Sequence, residues 1–330
     1  MNDIKIIDIQ YKVGEKEETL ADIAEKFNLG LKRFQTLKRV GIERIFKFDQ
    51  QKSGLKKHLV NLVQRILEKN KLRLSEISGI FGSGNPVGEY LVPNLTTVIG
   101  YEAGLRNISS KEIGQGCAGG IQVIESAYSQ LRSDSLDGID SIYIVMGWED
   151  VNVAINQKDH TTATLFSDAC YVMLVSNRSD LDGRKIKFVK SMSLLTEDIF
   201  TMTIENPFYT DSIANDFINN CRFKMNGPLV YKFGLKLFDY IKTLTKGKYT
   251  EEQLRSMYMI PHQANKRMIL AMAKKYNLDE NLICTDGVGK YGNTANSSAF
   301  ISLKDNFDRK GTIMVTPFGL ELMTGVLVIE

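Results

Sequence analysis

The fold class predicted by this 330-residue sequence is α/β with largely buried sheets. Three observations carry that prediction. Runs such as Ser141 to Gly147 and Ala169 to Ser176 are almost unbrokenly apolar, as strands covered on both faces are. Segments with apolar residues at helical spacing lie between such runs. The alternation occurs in both parts of the chain, and each part closes on paired apolar strands, a sign of internal duplication.

Taken in order, residues 4–13 alternate apolar and polar and read as a first strand, and 18–28 read as a helix. Lys38 to Arg44 is basic and turn-like. Leu59, Leu62, Val63, Ile66 and Leu67 make a helical stripe, with His58 on its polar, solvated side. Ile77 to Phe81 reads as a buried strand that ends in the polar loop Gly82-Ser-Gly-Asn-Pro86. Ile121, Ile124, Ala127, Tyr128 and Leu131 predict an amphipathic helix after a glycine-rich turn. The polar stretch Asn177 to Arg184 is the best candidate boundary, dividing the chain into halves 1–176 and 177–330. Beyond it come a strand over 184–192, one helix over 229–244, a short strand over 256–260 and a helix over 263–276. A turn-rich loop over 287–292, a helix opened by Asn293, and strands 312–316 and 325–329 complete the chain.

Composition excludes more than it proposes. Hydrophobic content of 43% and charged content of 25% are those of an ordinary globular protein, and a net charge of +3 calls for no nucleic acid. No apolar run approaches the roughly 18 residues of a membrane span, and there is no secretory leader. The four cysteines (117, 170, 221 and 284) have no C-x-x-C spacing, so a zinc or dithiol site is not expected. A reducing, cytoplasmic setting follows as the expectation.

Three motifs bear chemistry. Cys117 lies in Gly114-Gln-Gly-Cys-Ala-Gly-Gly120, just before the predicted helix, where the positive dipole end and free N–H groups favour a thiolate. Standing alone, such a cysteine is as readily a buried packing residue. Of the three histidines (58, 160 and 262), His262 in Pro-His-Gln-Ala-Asn265 sits where a strand hands over to a helix, a frequent functional position in α/β proteins. Asn293 follows Gly292 in a Gly-Asn-Thr-Ala-Asn-Ser-Ser run and, by itself, is an ordinary helix cap.

Together, Cys-Ala-Gly at 117, His-Gln-Ala-Asn at 262 and Gly-Asn-Thr at 292 resemble the signatures of β-ketoacyl-[acyl-carrier-protein] synthase III, in the thiolase superfamily. Arg39-Val-Gly-Ile-Glu-Arg44, Leu165-Phe-Ser-Asp168 and Lys224-Met-Asn-Gly227 resemble further segments of that family. The resemblance implies a thiolase-like, five-layered αβαβα fold of two similar halves, acting as a homodimer. It implies Cys117 as nucleophile, with His262 and Asn293 as two donors to an enolate formed by decarboxylation of a malonyl thioester. It places the backbone N–H groups of Cys117 and Leu320 in the oxyanion hole. Arg39, Val92, Lys232, Asn265 and Arg267 fall where the family binds substrate or carrier. Coenzyme A or phosphopantetheine thioesters are the expected substrates and acyl carrier protein the expected partner, with no metal or redox cofactor, no nucleic acid and no membrane.

The departures from the family pattern point to a divergent member, in fatty acid, polyketide or other secondary metabolite biosynthesis. Gln35 stands where a tryptophan is usual, Gly120 where phenylalanine follows Cys-Ala-Gly, and Gly319-Leu320-Glu321 where three glycines are usual. Val92 and Gly120 together predict a widened acyl pocket that prefers medium or branched chains. Arg222, Lys224, Lys232, Lys236, Lys242, Lys246 and Lys248 against the single acid Asp239 read as a carrier-docking face or as a solvated helix face. An acyltransferase on the same fold, working without condensation, is the main alternative. A Cys-His-Asn hydrolase and a non-catalytic binding protein are further ones.

Overall fold

A computed structural model describes residues 2–51, 54–84, 93–114, 116–150, 152, 155, 160–194, 202–204, 223–319 and 322–330. The strands are β1 (Lys5–Val13), β2 (Lys16–Thr19), β3 (Arg44–Lys47), β4 (Gly79–Gly84), β5 (Ser109–Ile113), β6 (Ile142–Glu149), β7 (Ala169–Ser176), β8 (Arg184–Ser193), β9 (Met202–Ile204), β10 (Phe223–Met225), β11 (Tyr258–Pro261), β12 (Ile313–Thr316), β13 (Phe318–Gly319) and β14 (Met323–Ile329). The α-helices are α1 (Leu20–Lys26), α2 (Leu31–Val40), α3 (Gly54–Lys69), α4 (Leu95–Glu102), α5 (Gly119–Leu136), α6 (His160–Ala163), α7 (Gly227–Gly234), α8 (Leu237–Leu244), α9 (Glu251–Ser256), α10 (Lys266–Lys275), α11 (Gly287–Tyr291) and α12 (Ser298–Asp305).

The main strands line up in the order β11-β12-β14-β8-β1-β7-β6-β4-β5, with β13 paired to β14. Within that line one pairing pattern occurs twice. β4 runs parallel to β6, which pairs antiparallel with β7, which pairs antiparallel with β1. In the same way β11 runs parallel to β12, which pairs antiparallel with β14, which pairs antiparallel with β8. The two sets meet only at the start of β1, where Lys5 lies opposite Lys185 and Ile6 opposite Arg184. This is the α/β, thiolase-like arrangement of two similar halves.

Helices fill the layers between and outside the sheets. α5 touches β4 and β6 on one side and β8 and β14 on the other, so it lies between the halves. α12 packs on β11 and β12 and reaches β1, in the same middle layer. α3 and α4 cover the far face of the first sheet, and α8 covers β8 and β14 of the second. The strands explain how. Along β6, Ile142, Ile144 and Met146 enter the outer core with Leu59, Leu62 and Ile66 of α3, while Tyr143 and Val145 enter the central core with Ile121, Ile124 and Phe300. Side chains alternate across a strand, so a continuous apolar run serves two cores at once.

Local chemistry sets the element ends. Thr19 and Thr250 form capping boxes with Asp22 and Gln253, and Gly41, at φ +97°, ends α2 in the left-handed conformation that glycine adopts freely. The structure corrects several sequence readings. Lys38–Val40 is the last turn of a helix rather than part of a turn, and Arg44 opens a strand. The single helix expected over 229–244 is two, α7 and α8, broken at Leu235 and Lys236. His58 is buried, stacked on Phe48 at 5.0 Å, with its Nε2 2.5 Å from Glu15 Oε1, so it is no solvated side chain. Among the described residues, no helix is long and apolar enough to cross a membrane.

Gly120 brings the sharpest correction. A Cβ there would fall 2.5 Å from Phe300 Cε2, 2.6 Å from Tyr171 Oη and 3.1 Å from Asn296 Oδ1. The volume that a larger side chain would take is already filled by the Tyr171 and Phe300 rings, 4.9 Å apart, so Gly120 does not enlarge an acyl pocket. Overfilling a packed core costs about 1–3 kcal/mol. Gly120→Phe is therefore expected to lower the urea midpoint without changing the slope, and Phe300→Ala in the same chain should recover part of the loss. An unchanged midpoint in Gly120→Phe would show that this layer has spare room.

Candidate functional site

The three motifs converge in the middle layer, at the ends of elements from both halves. Cys117 is 7% exposed and precedes α5 by two residues. It packs with Ala163, Phe166 and Ala295 in a small apolar cluster. On another side Gly319 lies so close that a Cβ there would be 2.4 Å from Cys117 Cβ and 3.3 Å from its sulfur. Glycine at 319 is thus a steric requirement for the approach of β13 to the thiol.

The helix start holds fewer free donors than the sequence suggested. Gly119 N–H donates to Gly116 O, Ile121 N–H to Ala118 O, and Gly120 N–H to Asn296 Oδ1 at 2.7 Å. Any help for a thiolate comes from the helix field rather than from open N–H groups at these positions. Cys170 and Cys284 are also free and buried. Burial raises both thiols, Cys284 to about 12, which marks them as packing residues.

His262 follows β11 and is 3% exposed. Its backbone N–H donates to Thr316 O at 3.2 Å, and its ring meets the Phe318 ring edge-on at 5.2 Å. Nδ1 lies 2.6 Å from Ser298 Oγ. Burial lowers its pKa to about 4, so the imidazole is neutral at physiological pH. Gln263 secures the turn beneath it. Its Nε2 donates to Pro261 O and Cys284 O, and its Oε1 accepts from Gly287 N–H.

Asn293 is 8% exposed and forms an isolated β-bridge with Phe166. Its backbone N–H donates to Leu165 O at 3.2 Å, and its O accepts from Ser167 N–H at 2.9 Å. Its Oδ1 accepts from Ala295 N–H at 3.0 Å. With the oxygen engaged, the amide nitrogen is the part left to act on a ligand. The helix itself begins later, through a 3-10 turn over Ala295–Ser297. Asp168 braces the same region. It accepts from Phe48 N–H and from the backbone and side chain of Asn152, and burial holds it above the usual carboxylate range.

The remaining sequence candidates lie farther out or beyond the described residues. Val92, Leu320 and Glu321 fall outside the described residues. Asn265 caps α10, its Oδ1 accepting from Met268 N–H at 3.0 Å. Arg39 on α2, Lys232 on α7 and Arg267 on α10 are exposed, and both α2 and α7 pack against α10. None of these three forms an ion pair with a described residue. Lys242, by contrast, pairs with Asp239 and Glu251 and does not belong to this face. Among the described residues, no group of three or more His, Cys, Asp or Glu side chains is placed to hold a metal ion. Sequence reasoning missed Ser298, Asn296 and Gly319. Each lies within or next to a motif, but only the tertiary contact gives it a task.

The chain is similar to known proteins in both sequence and fold. Residues 244–330 match the family described as 3-oxoacyl-[acyl-carrier-protein (ACP)] synthase III C terminal. A β-ketoacyl-[acyl-carrier-protein] synthase III of Clostridium novyi is 27% identical over 281 residues, covering 80% of this chain and 81% of that protein. The Listeria monocytogenes protein of the same name is 26% identical over 252 residues, covering 73% and 72%. The solved 3-oxoacyl-[acyl-carrier-protein] synthase III of Aquifex aeolicus superposes with TM-score 0.81 at 20% identity over 99% of both chains. The priming β-ketosynthase of the R1128 polyketide pathway gives 0.83 at 18%, covering 99% of this chain and 96% of that one. The fold is that of the thiolase-like structures on which it superposes. More narrowly, the chain is similar, at low identity, to proteins named β-ketoacyl-[acyl-carrier-protein] synthase III, and its residues 244–330 match that family's C-terminal model.

The neutral, buried His262 has a consequence for stability. From pH 6.5 down to about 4 the unfolded chain takes up a proton at this ring that the folded protein refuses. The contribution of His262 is therefore intact above pH 6.5 and is lost as the pH falls through that window. Asp150 and Asp168, raised by burial, act in the opposite sense, so the effect is read as a difference. Urea unfolding at pH 7, 6 and 5 should show a smaller acid loss in His262→Gln than in the parent. Equal losses would mean that the ring titrates normally.

Proposed function

We propose that this protein is a condensing acyltransferase of the β-ketoacyl synthase III type. The reading is supported by three buried groups on linked segments: Cys117 packs with Phe166 and Ala295, Asn293 is bridged to Phe166 with its amide oxygen engaged by Ala295, and the His262 ring lies on Phe318, next to the Gly319 that abuts Cys117. Cys117 thiolate attacks the carbonyl carbon of an acyl thioester, and the donor thiol leaves, so the acyl group is held as a new thioester. A malonyl thioester then binds. Its carboxylate leaves as CO₂, and the electron pair becomes an enolate whose oxygen receives hydrogen bonds from His262 Nε2 and Asn293 Nδ2. The enolate carbon attacks the acyl-cysteine carbonyl, a carbon–carbon bond forms, and Cys117 thiolate is released.

Both halves contribute to this reading. The first, 1–176, supplies the nucleophile, and the second, 177–330, supplies the two donors. Coenzyme A or phosphopantetheine thioesters serve as substrates. The exposed cations Arg39, Lys232 and Arg267 form the docking face for an acidic acyl carrier protein. Homodimerisation through the edge strand β5, which among the described residues pairs only with β4, is part of the same reading. Fatty acid and polyketide synthesis are both open to such an enzyme, and one structural neighbour is named for a polyketide pathway.

Intact-mass measurement after incubation with a panel of acyl thioesters, followed by assay of CO₂ release from malonyl thioester, tests the proposal. Cys117→Ala should acquire no acyl mass. His262→Ala and Asn293→Ala should still acylate but lose decarboxylation by roughly a hundredfold or more. Acylation of the parent without any decarboxylation would favour simple acyl transfer to an alcohol or amine, and no acylation would remove the enzymatic reading. Reversing Lys232 and Arg267 to Glu should raise KM for a carrier-borne thioester roughly tenfold, with little change for a small-molecule thioester. The defect should shrink as salt is added to the parent's assay, because exposed charges are screened within about 10 Å at 0.1 M salt. Equal loss with both substrates would rule out docking at this face.

A further inference from the structure

The proposed chemistry needs the His262 proton on Nε2, and the parts that could hold it there lie on the other side of the ring. Ser298 Oγ is 2.6 Å from Nδ1. The same oxygen accepts the backbone N–H of Gln263 at 3.3 Å. Ser298 is 3% exposed, and its hydroxyl has no other partner among the described residues. Two arrangements are conceivable. If Nδ1 carried the proton, Ser298 Oγ would accept twice and its own proton would have no acceptor in a buried site. If Ser298 donates to Nδ1, every group is used once, and the ring proton must reside on Nε2.

We infer that Ser298 is a positioning residue that donates to His262 Nδ1 and fixes the imidazole as the Nε2–H tautomer. This rests on the proposed function only for its catalytic meaning, since the tautomer is a property of the resting protein. The frame around the serine is rigid. Gln263 cannot turn its N–H away, because its side chain is tied to Pro261, Cys284 and Gly287. Ser298 is the first residue of α12, directly after the 3-10 turn that follows Asn293. One short segment therefore sets both donors, with Ala295 N–H occupying Asn293 Oδ1 and Ser298 occupying His262 Nδ1. The side of each group that faces away from those bonds is a donor.

Long-range 1H–15N correlation on full-length protein labelled with 15N-histidine reads the tautomer directly. The chain has three histidines, so comparison with His262→Ala assigns the relevant ring. At pH 7 the parent should show His262 neutral with the proton on Nε2. Ser298→Ala should populate the Nδ1–H form, and Ser298→Thr, which keeps the hydroxyl, should restore the parent pattern. In parallel, Ser298→Ala should lower kcat for malonyl decarboxylation roughly tenfold or more while Cys117 still acylates, as expected for a wrong tautomer. An Nδ1–H pattern in the parent overturns the inference even if no variant folds, and so does an unchanged pattern in Ser298→Ala. Failure of the parent to acylate would defeat the proposed function, while the spectra would still decide the role of Ser298.

Discussion

The first turn of α5 has no room around it, and the rest of the site depends on that. It lies between two sheets, with Tyr171 and Phe300 against Gly120 and β13 pressed against Cys117 through Gly319. Interiors packed to this density do not accommodate small displacements, so the position of the thiol is set by segments far apart in sequence. Asn296 locks the arrangement. Its Oδ1 holds Gly120 N–H, and its Nδ2 donates to Ser83 O at the end of β4. The segment carrying Cys117 is thus fixed partly by Asn296, a residue far along the chain.

Close packing also keeps the site dry, and dryness decides the protonation states. A buried imidazole without a nearby carboxylate is neutral, and a neutral imidazole carries one N–H, whose place is decided by which nitrogen meets a donor. The buried acids of this region are used differently. Asp168 and Asp150 take hydrogen bonds from Phe48, Asn152 and Gln50, and Asn152 in turn reaches Phe166 O, so they brace the segments around Phe166. In a medium of low dielectric, two fixed N–H donors stabilise a developing negative charge far better than water-exposed ones would.

Much of this was legible in the sequence, for identifiable reasons. β6 and β7 were readable because a strand serving two cores has to be apolar at nearly every position. Cys117, His262 and Asn293 stood out because each sits in a short motif rich in glycine and polar residues. The failures have a common cause. The break between α7 and α8 leaves the apolar periodicity of 229–244 nearly intact, so the pattern could not reveal it. His58 lies among lysines along the chain but faces Phe48 and Glu15 in space. Gly120 looked like missing bulk because the rings that fill the space come from positions 171 and 300. Tertiary neighbours, which one-dimensional spacing does not encode, decided each case.

The repeated strand pattern explains why the polar groups meet where they do. In parallel sheets, function collects at the carboxyl ends of the strands. Here the duplication creates two such ends, that of the β4/β6 pair and that of the β11/β12 pair. His262 follows β11, and its N–H is held by Thr316 at the end of β12. The matching place in the first half is the end of β4, where Ser83 O anchors Asn296 and so the start of α5. Among the described residues, one carboxyl edge presents the His262 ring, and its counterpart supplies Ser83 O as an anchor for Asn296. A duplicated fold with two equivalent edges needs just one of them to carry chemistry. At that other edge the glycines are a packing requirement, since a Cβ on Gly82 would fall 2.1 Å from Thr96 Oγ1 and one on Gly84 2.3 Å from Trp148 Nε1.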